Sequence, residues 1–346
     1  MYAILRSFVW MKWLVLGCLF ASCGSGKGSG LTPTSTGRPY ELLVVADSSF
    51  WGRPAGRALF EVLDTDLPGL PQAERAFRLM YASPHHFDAI LKLVRNIVVV
   101  QVDSACCTRA SLAYAENVYA FPQAILFLRA PDEASFVHLV KQRRADILDC
   151  FTEAERKRRM AWLAENHNRQ MDQLAKEMFG CSVWLPAELA SYKVGKDFLW
   201  AGSNGALVDE NFVLYAFPYE DARVFTKSGF IHKRDSVMKV NIPGAREGMY
   251  MTTDSLLTDI RPITVQGKPV WEARGLWHVQ GDFMGGPFVS HLQVDEANRR
   301  VVVSEIFVYA PGRSKRNLVR QLEASLYTLR LPQTEQTDTI GIKNNY

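Results

Sequence analysis

The sequence contains none of the short motifs that most often reveal an enzyme's chemistry. It has no GxSxG nucleophile elbow, no HExxH zinc helix, no Walker loop and no glycine-rich dinucleotide pattern after its first strand. It also lacks CxxC spacing and any Cys/His pattern typical of a metal site. We therefore predict no metal and no cofactor, and favour a non-catalytic protein over an enzyme of unfamiliar type.

A large excess of one charge is also missing. The formal net charge is +4, and it falls to +2 without the first 22 residues, because that segment contains Arg6 and Lys12 and no acid. A nearly neutral chain gives no argument for a nucleic-acid partner. The hydrophobic fraction of 48% is typical of a well-packed protein. No second long apolar run follows the N-terminal one, so we expect no further membrane crossing.

The N-terminal segment has the order of a secretory signal, which we place at residues 1–22. Two basic residues precede an apolar run that is too short to span a bilayer as a stable helix. The run ends in LFASC, residues 19–23, which resembles the bacterial lipobox, with Phe20 where a smaller aliphatic residue is usual. The resemblance implies that Cys23 carries lipid and becomes the N-terminus. Several acyl chains would anchor the protein durably, whereas one chain would be marginal.

Two alternatives for this segment stay open. Cys18 could be the modified residue, or Cys23 could be an unmodified cysteine in an ordinary signal, and translation could start at Met1 or Met11. The Gly/Ser-rich residues 23–38 are typical of a flexible tether. Because no acidic cluster follows Cys23, we predict a lipid-anchored protein of the outer membrane that faces the periplasm, in preference to the inner membrane or the cell surface.

The remaining chain predicts an α+β fold in two parts. Apolar strands alternate with helices over residues 39–180, which predicts an N-terminal mixed α/β sheet region with long helices. Strands are expected at 40–47 and 96–102, and a helix after Ser83. Short alternating segments over residues 181–332 predict an antiparallel β-rich region closed by a C-terminal helix. The expected strands include 182–186, 237–242, 270–280, 287–295 and 300–310. We expect the helical stretch from Asp132 to about Gly180 to break near Phe151, because Thr152–Glu155 fits a capping box. Ser314 is expected to cap the last helix. Residues 333–346 form a polar tail.

A basic run, residues 156–159, lies in the second of the long helices. Glutamates interleave with it, which favours a solvated helix face over a surface for acidic lipid headgroups. The four cysteines after Cys23 are Cys106, Cys107, Cys150 and Cys181. Their pairing cannot be deduced from sequence, and buried thiols or one structural bridge are preferred to a redox site.

The most suggestive polar row lies in VWEARGLWHVQGD, residues 270–282. Alternation along a strand places Glu272, Arg274 and His278 on one face, and Asp282 follows in the turn. Residues two apart on a face are neighbours, so Glu272 and Arg274 are predicted to pair, with His278 nearby. These four residues are our candidate ligand-binding site. The same row is also what the wet face of an antiparallel sheet would show.

Three stretches resemble a family of uncharacterised Bacteroidetes lipoproteins known only as a domain of unknown function. They are RNIVVVQVD (95–103), RGLWHVQGDFMGGPFVSH (274–291) and FVYAPGRSKRNLVRQLEASLYTLR (307–330). The resemblance implies a cell-envelope address and brings no activity or catalytic residue. We therefore predict a binding or assembly factor with envelope-protein partners. The alternative is an envelope hydrolase that uses the polar row at 272–282.

Overall fold

The computed structural model describes residues 32–332, which form an α+β fold with six α-helices and 13 strands. The strands make two sheets, a mixed five-stranded sheet A in the N-terminal half and an antiparallel eight-stranded sheet B in the C-terminal half. A helix follows the last strand of sheet B. The predicted fold class is therefore confirmed.

Sheet A and its helices occupy residues 41–166. The strands are β1 (Glu41–Val45), β2 (Arg78–Ala82), β3 (Asn96–Val102), β4 (Ser111–Glu116) and β5 (Ala124–Ala130), and the helices are α1 (Pro54–Leu63), α2 (Glu133–Gln142) and α3 (Arg144–Asn166). The strand order is β2-β1-β3-β5-β4, parallel except for the antiparallel edge strand β4.

Strand β1 is apolar throughout because both of its faces are covered. Leu42 and Val44 contact the core that lies under the three helices, while Leu43 and Val45 face the opposite side. Single-turn 3₁₀ segments at Pro84–His86 and Leu91–Leu93, with loop residues, cover that opposite side in place of the regular helix expected after Ser83.

The helical stretch breaks at different places from the expected one. Helix α3 runs straight through Phe151, and the breaks lie at Arg143 and at His167. The Thr152–Glu155 pattern makes no cap because Thr152 donates its hydroxyl proton to the carbonyl of Leu148 inside the helix.

Sheet B and its helices occupy residues 169–323. The strands are β6 (Ser191–Gly195), β7 (Phe198–Gly202), β8 (Asp209–Pro218), β9 (Met251–Thr253), β10 (Asp259–Val265), β11 (Lys268–Val279), β12 (Gly285–Asp295) and β13 (Arg300–Tyr309), and the helices are α4 (Arg169–Phe179), α5 (Lys227–Asn241) and α6 (Arg316–Glu323). The order is β10-β11-β12-β13-β8-β7-β6, and β9 pairs with the end of β11.

Helices cover both faces of sheet B. Helices α4 and α6 pack on one face, and α5 packs on the other. Residues 237–242, expected to form a strand, belong to the end of α5, where Met238 faces the sheet core. Residues 182–186, also expected as a strand, form only isolated bridges.

Helix α4 belongs to the core of the C-terminal half. Its buried residues Met171, Ala175 and Phe179 pack with sheet B. The Asn168 side chain accepts hydrogen bonds from the backbone N–H groups of Gln170 and Met171 and so begins the helix. The division between the halves therefore precedes α4, whereas the sequence placed it at residue 180.

Glu74 ties the two halves together across a long stretch of chain. Its carboxylate accepts the backbone N–H groups of Lys315 and Arg316, at 2.6 and 3.0 Å, at the start of α6. A carboxylate is favourable at a helix N-terminus because it satisfies free N–H groups there. This contact from the N-terminal half takes the place of the expected Ser314 cap.

The ion pair between Arg234 of α5 and Glu305 of β13 is completely buried. Arg234 Nη2 lies 2.7 Å from Glu305 Oε1, and Ser290 Oγ donates to Glu305 Oε2 at 2.6 Å. Arg234 Nη1 donates to Thr253 Oγ1 at 2.8 Å, and the guanidinium lies over the ring of Phe288. The pair holds α5 in place against sheet B.

We predict that Arg234→Met or Glu305→Leu alone will lower the free energy of unfolding by about 3–5 kcal/mol, because each leaves a buried charge without its partner. The double variant should lose less than either single variant, since both charges leave the core together. Urea unfolding measures all three. The control variant Arg223→Ala, at an exposed position, should change the free energy of unfolding little. If the double variant lost as much free energy as the sum of the two single variants, the pairing would be contradicted.

Candidate functional site

A cleft of about 260 Å³ lies between the two halves of the protein. Strands β10 and β11 form one wall, and the loop after α1 together with α3 forms the other. The end of α6 and the turn after it close one side through Glu323 and Tyr327. A smaller cavity of about 210 Å³ is lined partly by the same residues, including Arg261, Glu272 and Arg274.

Two of the four residues predicted from the sequence meet in this cleft. Arg274 Nη2 lies 3.5 Å from Glu272 Oε2 and 2.5 Å from Glu323 Oε1. Arg261 of β10, opposite Glu272 in the register, donates to Glu272 Oε1 at 2.8 Å. The Glu272 side chain is only 2% exposed. It therefore belongs to a buried network instead of the wet sheet face that the sequence left open.

His278 and Asp282 lie away from the cleft. His278 is exposed four residues further along β11, about 13 Å from Arg274 at the usual rise of a strand. Asp282 is exposed in the turn after β11, where its carboxylate accepts the backbone N–H of Phe283 at 2.6 Å. The structure brings together only the Glu272 and Arg274 part of the predicted row.

A row of polar residues crosses sheet B in register. Arg261 of β10 lies opposite Glu272, Glu272 lies opposite His291 of β12, and His291 lies opposite Ser304 of β13. The row passes from the surface into the core, because Arg261 is 64% exposed while His291 and Ser304 are fully buried. His291 Nε2 lies 3.7 Å from Glu272 Oε2, and its ring meets the Tyr327 ring edge to face.

Two arginines that line the cleft have nitrogens without a hydrogen-bond partner among the described residues, namely Nε and Nη1 of Arg274 and Nε of Arg320. Both ring nitrogens of His291 and Oγ of Ser304 are also unpaired, deeper in the sheet behind Glu272. Buried polar groups are normally paired, so a concentration of unpaired groups in one place is unusual. Most of these groups can donate, which suits a ligand rich in acceptor atoms.

Sequence reasoning missed Arg261, His291 and Glu323. His291 stands in the apolar context of FVSHLQV, and Glu323 in an amphipathic helix, so neither has a local signal of function. The register of the β11–β12 hairpin would have placed His291 opposite Glu272, since the turn residues at 280–284 were recognisable. The contact with Glu323 depends on how α6 packs, which no local pattern gives.

The electrostatics of the network keep Glu272 ionised. Burial alone would raise the pKa of its carboxyl, but the His291 ring and the guanidinium groups of Arg274 and Arg261 hold that pKa well below its usual range. Burial alone would lower the pKa of Arg274, and the carboxylates of Glu323 and Glu272 raise it instead. A carboxylate whose pKa is lowered in this way is not a general acid at neutral pH and is only a weak base, because an efficient catalytic pKa lies near the working pH, so the network suits binding better than proton transfer.

Gly69 lets the N-terminal half approach Arg274. A Cβ at this position would lie 2.5 Å from Cγ of Arg274, and the residue has a φ of +77°. Only glycine meets both conditions without strain. The loop after α1 can therefore pack against the guanidinium stem and form the wall of the cleft.

Most side chains of the basic run at 156–159 contact other protein groups instead of pointing into solvent. The Arg156 guanidinium lies 3.8 Å from the centre of the Tyr327 ring in the cleft, and Arg158 donates to Asn96 and to the carbonyl of Arg95. The Arg159 guanidinium lies over Trp162, and only Lys157 is exposed. The interpretation of this run as a solvated face was therefore wrong for three of its four residues, and a lipid-binding face is not supported.

The described residues contain neither a cluster of metal-ligating side chains nor a disulfide. Between residues 32 and 332, no three His, Cys, Asp or Glu side chains are placed to share a metal ion. Cys106, Cys107, Cys150 and Cys181 are all free thiols. Burial raises the pKa of Cys150 and that of Cys181 to about 12, so both remain protonated and unreactive.

Comparison with protein families finds two domains of unknown function in the chain. Residues 168–328 match the domain of unknown function DUF4837, and residues 35–163 match the domain of unknown function DUF8532. The prediction of an uncharacterised family is confirmed to this extent, while the Bacteroidetes origin and the lipoprotein nature stay predictions. The two matches meet between residues 163 and 168, just before α4.

Other comparisons add little. No curated protein matches the chain. Among solved structures, the Ran-binding protein Mog1p of Saccharomyces cerevisiae is similar at 10% identity, over 44% of this chain and 89% of its own, with a TM-score of 0.28. A similarity this weak carries no argument about fold or function.

The predicted membrane anchor lies outside the described residues. Cys23, the signal at 1–22 and most of the tether precede residue 32, and the polar tail follows residue 332. Among the helices that the structure describes, none combines the length and the hydropathy that a bilayer crossing requires.

We predict that Glu272→Gln will lower the free energy of unfolding at pH 7 by about 3 kcal/mol, because it weakens a buried charge network. The folded pKa of Glu272 lies below its unfolded value, so its stabilisation is present above about pH 4.5 and is lost as the pH falls through the folded pKa. The difference in the free energy of unfolding between wild type and Glu272→Gln should therefore become smaller from pH 5 toward pH 3.

Urea unfolding at pH 7, 5, 4 and 3 measures this gap. The matched control is Glu296→Gln, which removes an exposed carboxylate from the β12–β13 turn and should have little effect at any pH. A Glu272→Gln gap that stays constant down to pH 3 would show that the carboxylate is not held ionised by its neighbours.

Proposed function

We propose that this chain is a binding protein of the bacterial cell envelope, anchored by lipid at Cys23 and facing the periplasm from the outer membrane. Its ligand is a small molecule that carries a carboxylate or phosphate group, and the cleft between the two halves is its binding site. Both groups present anionic oxygen atoms with several lone pairs, which arginine side chains recognise.

The observation that carries this proposal is the state of Arg274. One nitrogen, Nη2, is held by Glu272 and Glu323, which orients the guanidinium, while the buried Nε and Nη1 groups have no partner among the described residues. A guanidinium that is already oriented loses little entropy when its remaining donors bind an anion. Arg156, Arg261 and Arg320 line the same cleft and add positive charge.

The size of the cleft agrees with a small ligand. A volume of 260 Å³ lies just below the range of pockets that hold drug-sized molecules, about 300–1,000 Å³. The walls combine the Tyr327 ring with four arginines and four acids, Asp66, Asp149, Glu272 and Glu323. Asp66, Glu272 and Glu323 are already paired with arginines. Those acids therefore repel an incoming anion less than free carboxylates would.

The hydrolase alternative receives no support from the geometry. It required Glu272, Arg274, His278 and Asp282 to act together, and the last two are exposed elsewhere. His291 is close to Glu272, but it is fully buried and its nitrogens lie outside hydrogen-bond distance of any described group. Binding is the function that the arrangement supports best.

The ligand is tested by isothermal titration calorimetry of the purified mature protein with inorganic phosphate and, separately, with succinate. We expect one of the two to bind, and Arg274→Lys to weaken that binding by at least about tenfold, because lysine keeps the charge and loses the planar fork of donors. Arg223→Lys is the matched control, since Arg223 is 88% exposed and paired with Asp221.

The two anions separate the two ligand classes. Binding of phosphate alone assigns a phosphorylated ligand, and binding of succinate alone assigns a carboxylate. No heat from either anion at millimolar concentration, or equal binding by wild type and Arg274→Lys, would refute the cleft as an anion site.

The anchor is tested by growing bacteria that express the full chain with radiolabelled palmitate. We expect label on the wild-type protein, its loss in Cys23→Ala and its retention in Cys18→Ala, because a thioether forms only on the cysteine that follows the signal. An unlabelled wild type, or label that survives Cys23→Ala, would contradict the anchor and leave the cleft unaffected.

A further inference from the structure

A second recess lies on the opposite face of sheet B from the cleft. It is an open groove of about 870 Å³ between α5 and the segment that contains β9. Lys227, Ile231, Asp235 and Lys239 follow each other at intervals of four residues and form the helical wall, and Tyr250 and Thr252 belong to the other wall. We call it the α5 groove.

Two lysines mark the ends of the α5 groove. Lys227 and Lys239 are exposed and form no salt bridge with any described residue, and the Lys239 ammonium lies 4.8 Å from the centre of the Tyr250 ring. Twelve residues separate them on a straight helix, which corresponds to about 18 Å. An extended peptide covers that distance with about five residues.

The single carboxylate in the groove is held by hydrogen bonds from below. Asp235 accepts hydrogen bonds from the hydroxyls of Thr252 and Thr253, at 2.8 and 2.6 Å, and lies 3.9 Å from the buried guanidinium of Arg234. These contacts hold Asp235 against the floor. The groove therefore presents at its ends two cations that no described carboxylate pairs with, and in its middle one anion held by hydrogen bonds.

Exposed apolar side chains continue the groove at both ends. Val240, next to Lys239, is 77% exposed, and Leu256, next to the groove residue Ser255, is 88% exposed. These two side chains offer apolar contact area beside the charged ends of the groove. The open shape of the groove fits an extended chain better than a compact small molecule.

We propose that the α5 groove binds an extended segment of a partner protein that carries two acidic residues about five positions apart, each beside an apolar residue. The acids pair with Lys227 and Lys239, and the apolar residues lie on Leu256 and Val240. Charge complementarity and the spacing of the two lysines support this choice. The groove and the cleft lie on different faces of sheet B, so this inference does not depend on the small-ligand proposal.

The test is fluorescence anisotropy with two labelled peptides of one composition. In LEGSGSEL the glutamates are five positions apart, and in LGSEEGSL they are adjacent. We expect the first to bind the full-length protein at least about threefold more tightly, because only its acids can reach both lysines. Equal binding of the two peptides, or no binding of either, would overturn the proposal.

Variants of α5 test the contacts in opposite directions. Lys227→Ala and Lys239→Ala should each weaken binding of LEGSGSEL about threefold to fivefold, the range of single exposed charge pairs. Asp235→Asn should tighten it about twofold, because it removes the one negative charge from the groove. Lys233→Ala is the matched control, since Lys233 is on the same helix but lies over Phe217, outside the groove lining.

A lipid surface is the competing occupant, and sedimentation with vesicles distinguishes it. Both proteins in this test carry Cys23→Ala, so that neither has a lipid anchor. Vesicles of phosphatidylglycerol and phosphatidylcholine in equal parts should bind the protein with both lysines and the protein with Lys227→Ala/Lys239→Ala equally. Binding that requires both lysines, combined with no peptide binding, would assign the groove to a membrane and refute a protein segment. Circular dichroism confirms that each variant is folded.

Discussion

The ion pairs of the Arg274 guanidinium link strand β11 to helix α6 at the cleft between the two halves of the protein. The guanidinium compensates two carboxylates from different elements, Glu272 of β11 and Glu323 of α6, in surroundings where an unpaired charge would be costly. It also forms the surface against which Gly69 of the N-terminal half packs. The position of α6, the wall of the cleft and the approach of the two halves each include a contact with this side chain.

Sheet B carries buried charge on both faces, and each network attaches a helix. Arg274 links β11 to α6 on one face, and Arg234 of α5 pairs with Glu305 of β13 on the other. Each network also reaches the surface, at Arg261 beside the cleft and at Asp235 in the α5 groove. The two surface recesses are therefore extensions of the interactions that fix the helices, and a ligand in either would contact a rigid floor.

Regular strands were predictable because their burial alternates or is continuous over many residues. β1, β3 and β11 to β13 all lie near their expected positions. The prediction was wrong where local pattern and tertiary packing disagree. The alternating residues 237–242 fit a strand, yet Met238 completes the helical face of α5. Thr152 and Glu155 fit a capping box, yet Glu155 is needed inside α3, where it is buried against Arg95 and Asn96.

The sequence by itself determined the α+β class, the order of the two sheets and the pairing of Glu272 with Arg274, because these follow from hydrophobic periodicity and from spacing along one strand. Only the tertiary structure decided that this pair is buried, that Glu323 and His291 join it, and that His278 lies outside. Those contacts join residues up to 49 positions apart. Their distances depend on how helices and sheets pack, which a one-dimensional pattern does not contain.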